Sequence, residues 1–306
     1  MRRPRLRVPR FARTRSGAIG LTLLIIVLAI ALFGPLFAPH SITATVGLPS
    51  EGPSLSAPLG TDFLGRDVLS RLLHGGPSVV AYGGAATAIA YFFGITIGLV
   101  AGYSRSLIDP LLMRTCDVLL AFPALLVLLL LASGLGAHVW VAVIGVALVL
   151  VPSIARVTRT AALEASTRGY VEAAVARGER MPAVLRREIL PNITPVLLAD
   201  CGIRFGYSIV LIASMNYLGL GLVPPAADWG LMISENRYYI GLNPWAVLAP
   251  AIMLALLTIS VNMTADAYVR SLGRSSGRSR RRKVTPTAPQ VVAVNAGTDE
   301  IEGGVA

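Results

Sequence analysis

Charge is what this sequence has least of. Only 14% of its 306 residues are Asp, Glu, Lys or Arg, whereas 54% are hydrophobic. Soluble domains carry roughly a quarter of their residues charged, so a soluble globular fold is excluded. Lysine is nearly missing: 26 Arg accompany the single Lys283. A phosphate-binding loop needs a lysine reaching the phosphates from a glycine-rich turn, and Lys283 stands instead between Arg282 and Val284. ATP hydrolysis is therefore not expected of this chain. His40, His74 and His138 are the only histidines, and none stands at metal-ligand spacing from another His or from a carboxylate. The two cysteines, Cys116 and Cys201, fall near the ends of apolar runs, where neither a structural disulfide nor a metal site is expected. A membrane enzyme would need paired aspartates, or a nucleophile and base, within an apolar run. Asp200 and Asp266 are read instead as interfacial carboxylates at run ends.

What the chain has is apolar length. A hydrocarbon core of about 30 Å takes about 20 residues of helix, and six segments qualify, at about 17–37, 79–101, 118–135, 139–157, 202–222 and 245–269. The expected fold is an all-α membrane protein with six transmembrane helices. Residues 1–16 form a basic N-terminal stretch. The first run is read as an uncleaved span, because the one small-residue site, Ala38, is followed by Pro39. Residues 38–77 form an outer loop, 78–269 a membrane core with a long basic loop at 159–192, and 270–306 a Ser/Arg- and then Pro/Thr/Gly-rich tail expected to be disordered.

A net charge of +11 invites a nucleic-acid reading, but the basic residues lie in blocks between apolar runs rather than on one binding face. Seven precede the first span, two lie between the second and third, seven between the fourth and fifth, and seven follow the sixth. The opposite loops hold only Arg66, Arg71 and Arg237. Positive residues favour the cytoplasmic side, which places both termini in the cytoplasm. Within the spans, Gly94, Gly98 and Gly102 recur every four residues and would let helices approach closely. Asp200 and Arg204, one turn apart, are expected to pair near the cytoplasmic end of their span. A secondary transporter would show internal repeats and ionisable residues at mid-membrane; the sequence reading finds neither.

Two stretches carry the functional signal. Tyr170–Asn192, YVEAAVARGERMPAVLRREILPN, is helix-forming and basic, between apolar spans. Glu172, Ala173 and Ala174 place small side chains on one helix, Gly178 breaks it, and Pro182 suits the first turn of a second. Leu190 and Pro191 are expected to stop that second helix. In the outer loop, Gly60 and Gly65 bracket a turn, Thr61 or Asp62 can cap it, and Asp67 and Arg71 stand at i, i+4 spacing for a helix pair.

The first stretch resembles the EAA loop of ABC-importer membrane subunits, reading E-A-A-x₃-G-x₁₁-L-P from Glu172 to Pro191. It departs in carrying Glu188 where an apolar residue is usual, as peptide importers tend to do. The outer block from Leu59 to Leu72 resembles the LGTDxxGRDxLSRL block of the dipeptide, oligopeptide and nickel permeases. Asp109–Leu126 and Tyr217–Trp229 resemble two further segments of that family, with Pro224 and Pro225 expected to end the fifth span and Trp229 to lie at the outer interface. The likeness weakens near Asp266 and Arg270, and the tail has no counterpart. It implies a type I ABC importer permease of the inner membrane, itself no enzyme, most in keeping with dipeptides or oligopeptides as cargo. Nickel, glutathione or another small solute is the alternative, and a secondary transporter or membrane enzyme the distant one. The implied partners are a homologous permease, two ATPases that bind ATP and Mg, an extracytoplasmic binding protein and membrane lipid, with no nucleic acid. No cofactor is implied in this chain. Glu172, Ala173, Ala174, Gly178, Leu190 and Pro191 are the implied ATPase contacts.

Overall fold

Apolar runs too long for a soluble core fold as helices, since a helix satisfies every backbone polar group within itself. A computed structural model describes residues 15–104 and 107–281. The helices are α1 (Arg15–Phe33), α2 (Val68–Tyr103), α3 (Ile108–Leu120), α4 (Ala124–Leu135), α5 (Val139–Ser166), α6 (Gly169–Ala176), α7 (Met181–Ala183), α8 (Leu190–Tyr217), α9 (Trp229–Asn236) and α10 (Trp245–Arg281). Among the described residues there is no β-strand, only isolated bridges such as Thr45 to Arg66 in the outer loop. Among the described residues five elements are long and apolar enough to cross a membrane, while α3 and α4 qualify only together and are bent by 85°.

The glycine pattern in α2 does what its spacing implies. A Cβ on Gly94 would meet the Cβ of Ile154 at 2.7 Å, one on Gly98 the carbonyl oxygen of Ala155 at 2.5 Å, and one on Gly102 that of Arg159 at 2.7 Å. α2 and α5 thus lie backbone to backbone along the most extensive helix seam of the bundle. Around this seam, Leu128 of α4, Val146 and Leu150 of α5, and Ile212 and Met215 of α8 form one buried core. A second core joins α1, α2, α8, α9 and α10 through Val27, Val79, Ile209, Trp229 and Leu257.

Several expectations are corrected. The second span starts at Val68, within the expected outer loop, because the Asp67 carboxylate accepts from the N–H groups of Leu69 and Ser70 and nucleates the helix there. The third span is broken at Pro123, which lacks an N–H and disfavours helical backbone at Phe122. The fifth ends at Tyr217, ahead of the proline pair. Gly219, at φ +75°, takes the left-handed position that closes α8, with Leu220 N–H donating to Met215 O at 2.9 Å. Trp229 is fully buried rather than interfacial, its indole N–H donating to Leu72 O at 2.9 Å. α10 runs on to Arg281, past the expected end near 269, since extending a formed helix adds one hydrogen bond per residue fixed. The expected tail beyond Arg281 and the basic stretch 1–14 lie outside the described residues.

Candidate functional site

The long basic loop folds as a helical elbow. α6 ends at Ala176, and Gly178 follows at φ +77°, a backbone conformation that side chains with a Cβ rarely adopt. Gly178 N–H donates to Val175 O at 2.9 Å and Glu179 N–H to Ala174 O at 3.2 Å, so the helix is closed by a paired hydrogen-bond cap. Arg180 then opens α7, with Pro182 in its first turn where a missing N–H costs nothing. The expected stop at Leu190-Pro191 does not occur. Val184–Ile189 form a wider π turn, and Leu190 N–H donates five residues back to Leu185 O. The wider turn takes up the missing N–H and the ring of Pro191, and the helix continues without interruption into α8.

One side of the elbow is fastened to the bundle. Val171, Ala174, Val184 and Ile189 are buried against Leu99 of α2, Ala162 and Ala165 of α5, and Ile193 and Leu197 of α8. The other side is bare: Glu172, Ala173, Val175, Gly178 and Pro191 are exposed, and Leu190 is half-buried. The sequence-predicted residues are therefore split, with Ala174 serving the anchor and Glu172 and Ala173 the surface. The Glu172 carboxylate makes no ion pair among the described residues, whereas Arg177 pairs with Glu179 at 2.7 Å. Hollows flank α6 on both sides. One of about 570 Å³ is lined by Tyr103, Ser166, Val171 and Glu172, and one of about 340 Å³ by Glu164, Arg168, Tyr170 and Asn192. Such an elbow can transmit a push into three helices at once.

The outer loop is held by a buried charge cluster. Asp62 Oδ2 accepts from Arg66 Nε at 2.7 Å and from Arg71 Nη1 at 2.6 Å, and the same Nη1 donates to Glu235 Oε2 at 2.7 Å. Two arginines and two carboxylates leave the cluster neutral, which is what makes burial of all four tolerable. The expected Asp67–Arg71 pair is not formed. Asp67 is spent on the helix cap, on the Ser70 hydroxyl and on His40, whose Nδ1 lies 3.5 Å away. Glu235 and Asp228 were missed by sequence reading. Asp228 caps α9 by accepting from Gly230 N–H at 2.9 Å and also accepts from the Ser78 hydroxyl at 2.9 Å. Burial nevertheless pushes its carboxyl above the usual carboxylate range.

A bundle of apolar spans joined by an anchored, half-exposed elbow is a fold shared with a solved structure. The structure is similar, with TM-score 0.55, to a chain of the MetNI methionine ABC transporter in an inward-facing form, at 20% identity over 66% of this chain and 96% of that one. The family model of binding-protein-dependent transport system inner membrane components matches residues 94–274, and that of the N-terminal TM domain of oligopeptide transport permease C matches residues 6–53. The chain belongs to the family of binding-protein-dependent transport system inner membrane components. It is 33% identical over 257 residues to the dipeptide transport system permease protein DppC of Alkalihalophilus pseudofirmus, covering 83% of this chain and 84% of that one. It is 34% identical to the di/tripeptide transport system permease protein DppC of Pseudomonas aeruginosa, with 84% and 87% covered. The glutathione transport system permease protein GsiD of Pectobacterium atrosepticum is 32% identical, with 84% and 86% covered. The protein is thus a multi-pass permease subunit of the inner membrane.

Proposed function

We propose that this chain is one of two permeases of an ATP-driven importer of dipeptides or oligopeptides, and that the elbow Tyr170–Pro191 is where ATPase subunits engage it. The peptide reading is supported by relatives named for dipeptide and di/tripeptide transport. Glutathione, itself a small peptide, is the nearest alternative, through the GsiD relatives. The observation that carries the docking role is the division of the elbow into a face buried against α2, α5 and α8 and an exposed face around Glu172 and Ala173. Nucleotide-driven closure of the ATPases would move that face, and the anchored side would carry the motion into the spans. ATP and Mg are held by the separate ATPases, with no cofactor in this chain. An extracytoplasmic binding protein delivers cargo, a homologous permease completes the path, and both termini lie in the cytoplasm.

The docking role is tested with Glu172→Lys and Gly178→Asp in the assembled importer. Gly178 has open space around it, so a new side chain there is opposed by the backbone conformation rather than by a clash. Both variants should reach the membrane yet lose ATPase co-purification and most uptake. Unchanged co-purification in the double variant would refute docking at this face.

A further inference from the structure

Among the described residues, α8 carries a pair of opposite charges within a candidate span. Arg204 Nε lies 3.2 Å from Asp200 Oδ2, and the Tyr91 hydroxyl donates to that same oxygen at 2.7 Å. The pair is not at the end of its helices. Tyr91 stands 12 residues before the end of α2 at Tyr103, about 18 Å along the helix axis at 1.5 Å per residue. Charges so placed face a bundle interior or a water-filled path, since lipid cannot solvate them.

The site is also unfinished. Arg204 engages only its Nε among the described residues, and its two Nη groups carry no hydrogen bond. Its side chain keeps 23% of its surface exposed, and that of Asp200 keeps 14%. Three and ten residues further along α8, Tyr207 and Ser214 continue on the same side, Tyr207 exposed and Ser214 half-buried. The cation on this side of α8 has a planar fork to spare.

We propose that Arg204, held in place by Asp200 and Tyr91, binds the carboxylate of the cargo as it crosses the membrane. This rests on the peptide reading above, because every unmodified linear peptide carries a terminal carboxylate whatever its side chains. A guanidinium presents two parallel N–H donors that match a carboxylate bidentately. Asp200 has two effects. It keeps the empty site neutral, so an arginine can stay in a span. It also competes for the guanidinium, so the site stays weak enough for cargo to leave, as conduction demands.

The test uses the complete importer in proteoliposomes, with trialanine and trialanine amide as probes. The binding protein's own affinity for each is measured separately and divided out. Arg204→Gln should lower trialanine uptake about tenfold, the scale of a lost charge-assisted contact, and lower amide uptake much less. Arg204→Lys should restore part of the difference. Asp200→Asn should lower KM for trialanine and slow its turnover. Equal trialanine uptake by Arg204→Gln and wild type would overturn the site, as would equal loss of both probes, which marks a purely structural pair. The double variant Asp200→Asn/Arg204→Gln, neutral and free of a stranded charge, guards against misfolding. It too should lose only the carboxylate preference, and retention of that preference would overturn the site. A wild-type importer that hydrolyses ATP but takes up neither probe would instead refute the peptide reading, and this assignment with it.

Discussion

Arg71 is fully buried and meets three acceptors: Asp62, Glu235 and the carbonyl of Ala226. Each belongs to a different segment, so one guanidinium ties α2 to the outer turn, to the loop before α9 and to α9 itself. Truncation to Leu would leave Asp62 and Glu235 to share Arg66 alone, with one buried negative charge uncompensated, and breaking a buried pair from one side costs about 3–5 kcal/mol. Arg71→Leu is therefore expected to lower the unfolding temperature in detergent and expose the 38–67 loop to protease. An unchanged melting curve would contradict this. The i, i+4 spacing of Asp67 and Arg71 misleads because a carboxylate at a helix N-terminus has a competing use in capping. A double-mutant cycle should accordingly find coupling between Arg71 and Asp62 and none between Arg71 and Asp67. Glu235 lies 164 residues from Arg71, and no local pattern marks so distant a partner.

Helices meet here through absence of side chains. The seam between α2 and α5 needs Gly98, whose added Cβ would strike the Ala155 carbonyl and the Thr158 side chain, both at 2.5 Å. Gly98→Leu should force the pair apart, since backbone cannot yield as a flexible side chain can, and overpacking costs about 1–3 kcal/mol or more. Gly84 is the control, its nearest contact being the Phe205 ring at 4.0 Å, so Gly84→Ala should be neutral. The comparison is read as yield of folded subunit after membrane extraction; equal yields would contradict the seam. The broken third span has a different cause. Pro123 ends α3, and ion pairs hold α3 across α5, Arg159 with Asp109 at 2.5 Å and Arg156 with Asp117 at 2.5 Å. Hydropathy sees only the apolar total of such a segment, so the bend escaped it.

Across the whole molecule, the placement of arginines predicts one orientation. Arg180 in the elbow, Leu55 in the outer loop and Tyr238 after α9 are all exposed, which suits them for cysteine labelling. With Cys116 and Cys201 replaced, an impermeant thiol reagent should reach positions 55 and 238 from outside and position 180 only after lysis. Labelling of position 180 in intact cells would invert the arrangement and remove the elbow from any cytoplasmic ATPase.

Whatever depends on composition, short spacing or a local backbone demand is legible in the chain. Low charge and long apolar runs define a membrane bundle, the four-residue glycine repeat defines a close helix seam, and Gly178 with Pro182 defines the elbow. Family membership followed from blocks of consecutive residues. The rest turns on which groups compete for the same partner, and packing settles that competition. It assigned Asp67 to a cap and Arg71 to Asp62 and Glu235, buried Trp229, and carried the helix through Leu190-Pro191 on a π turn. It also set Asp200 against Tyr91 from another helix. Spacing along a chain can show that two charges share a face, but which groups meet them there depends on the helices packed around it.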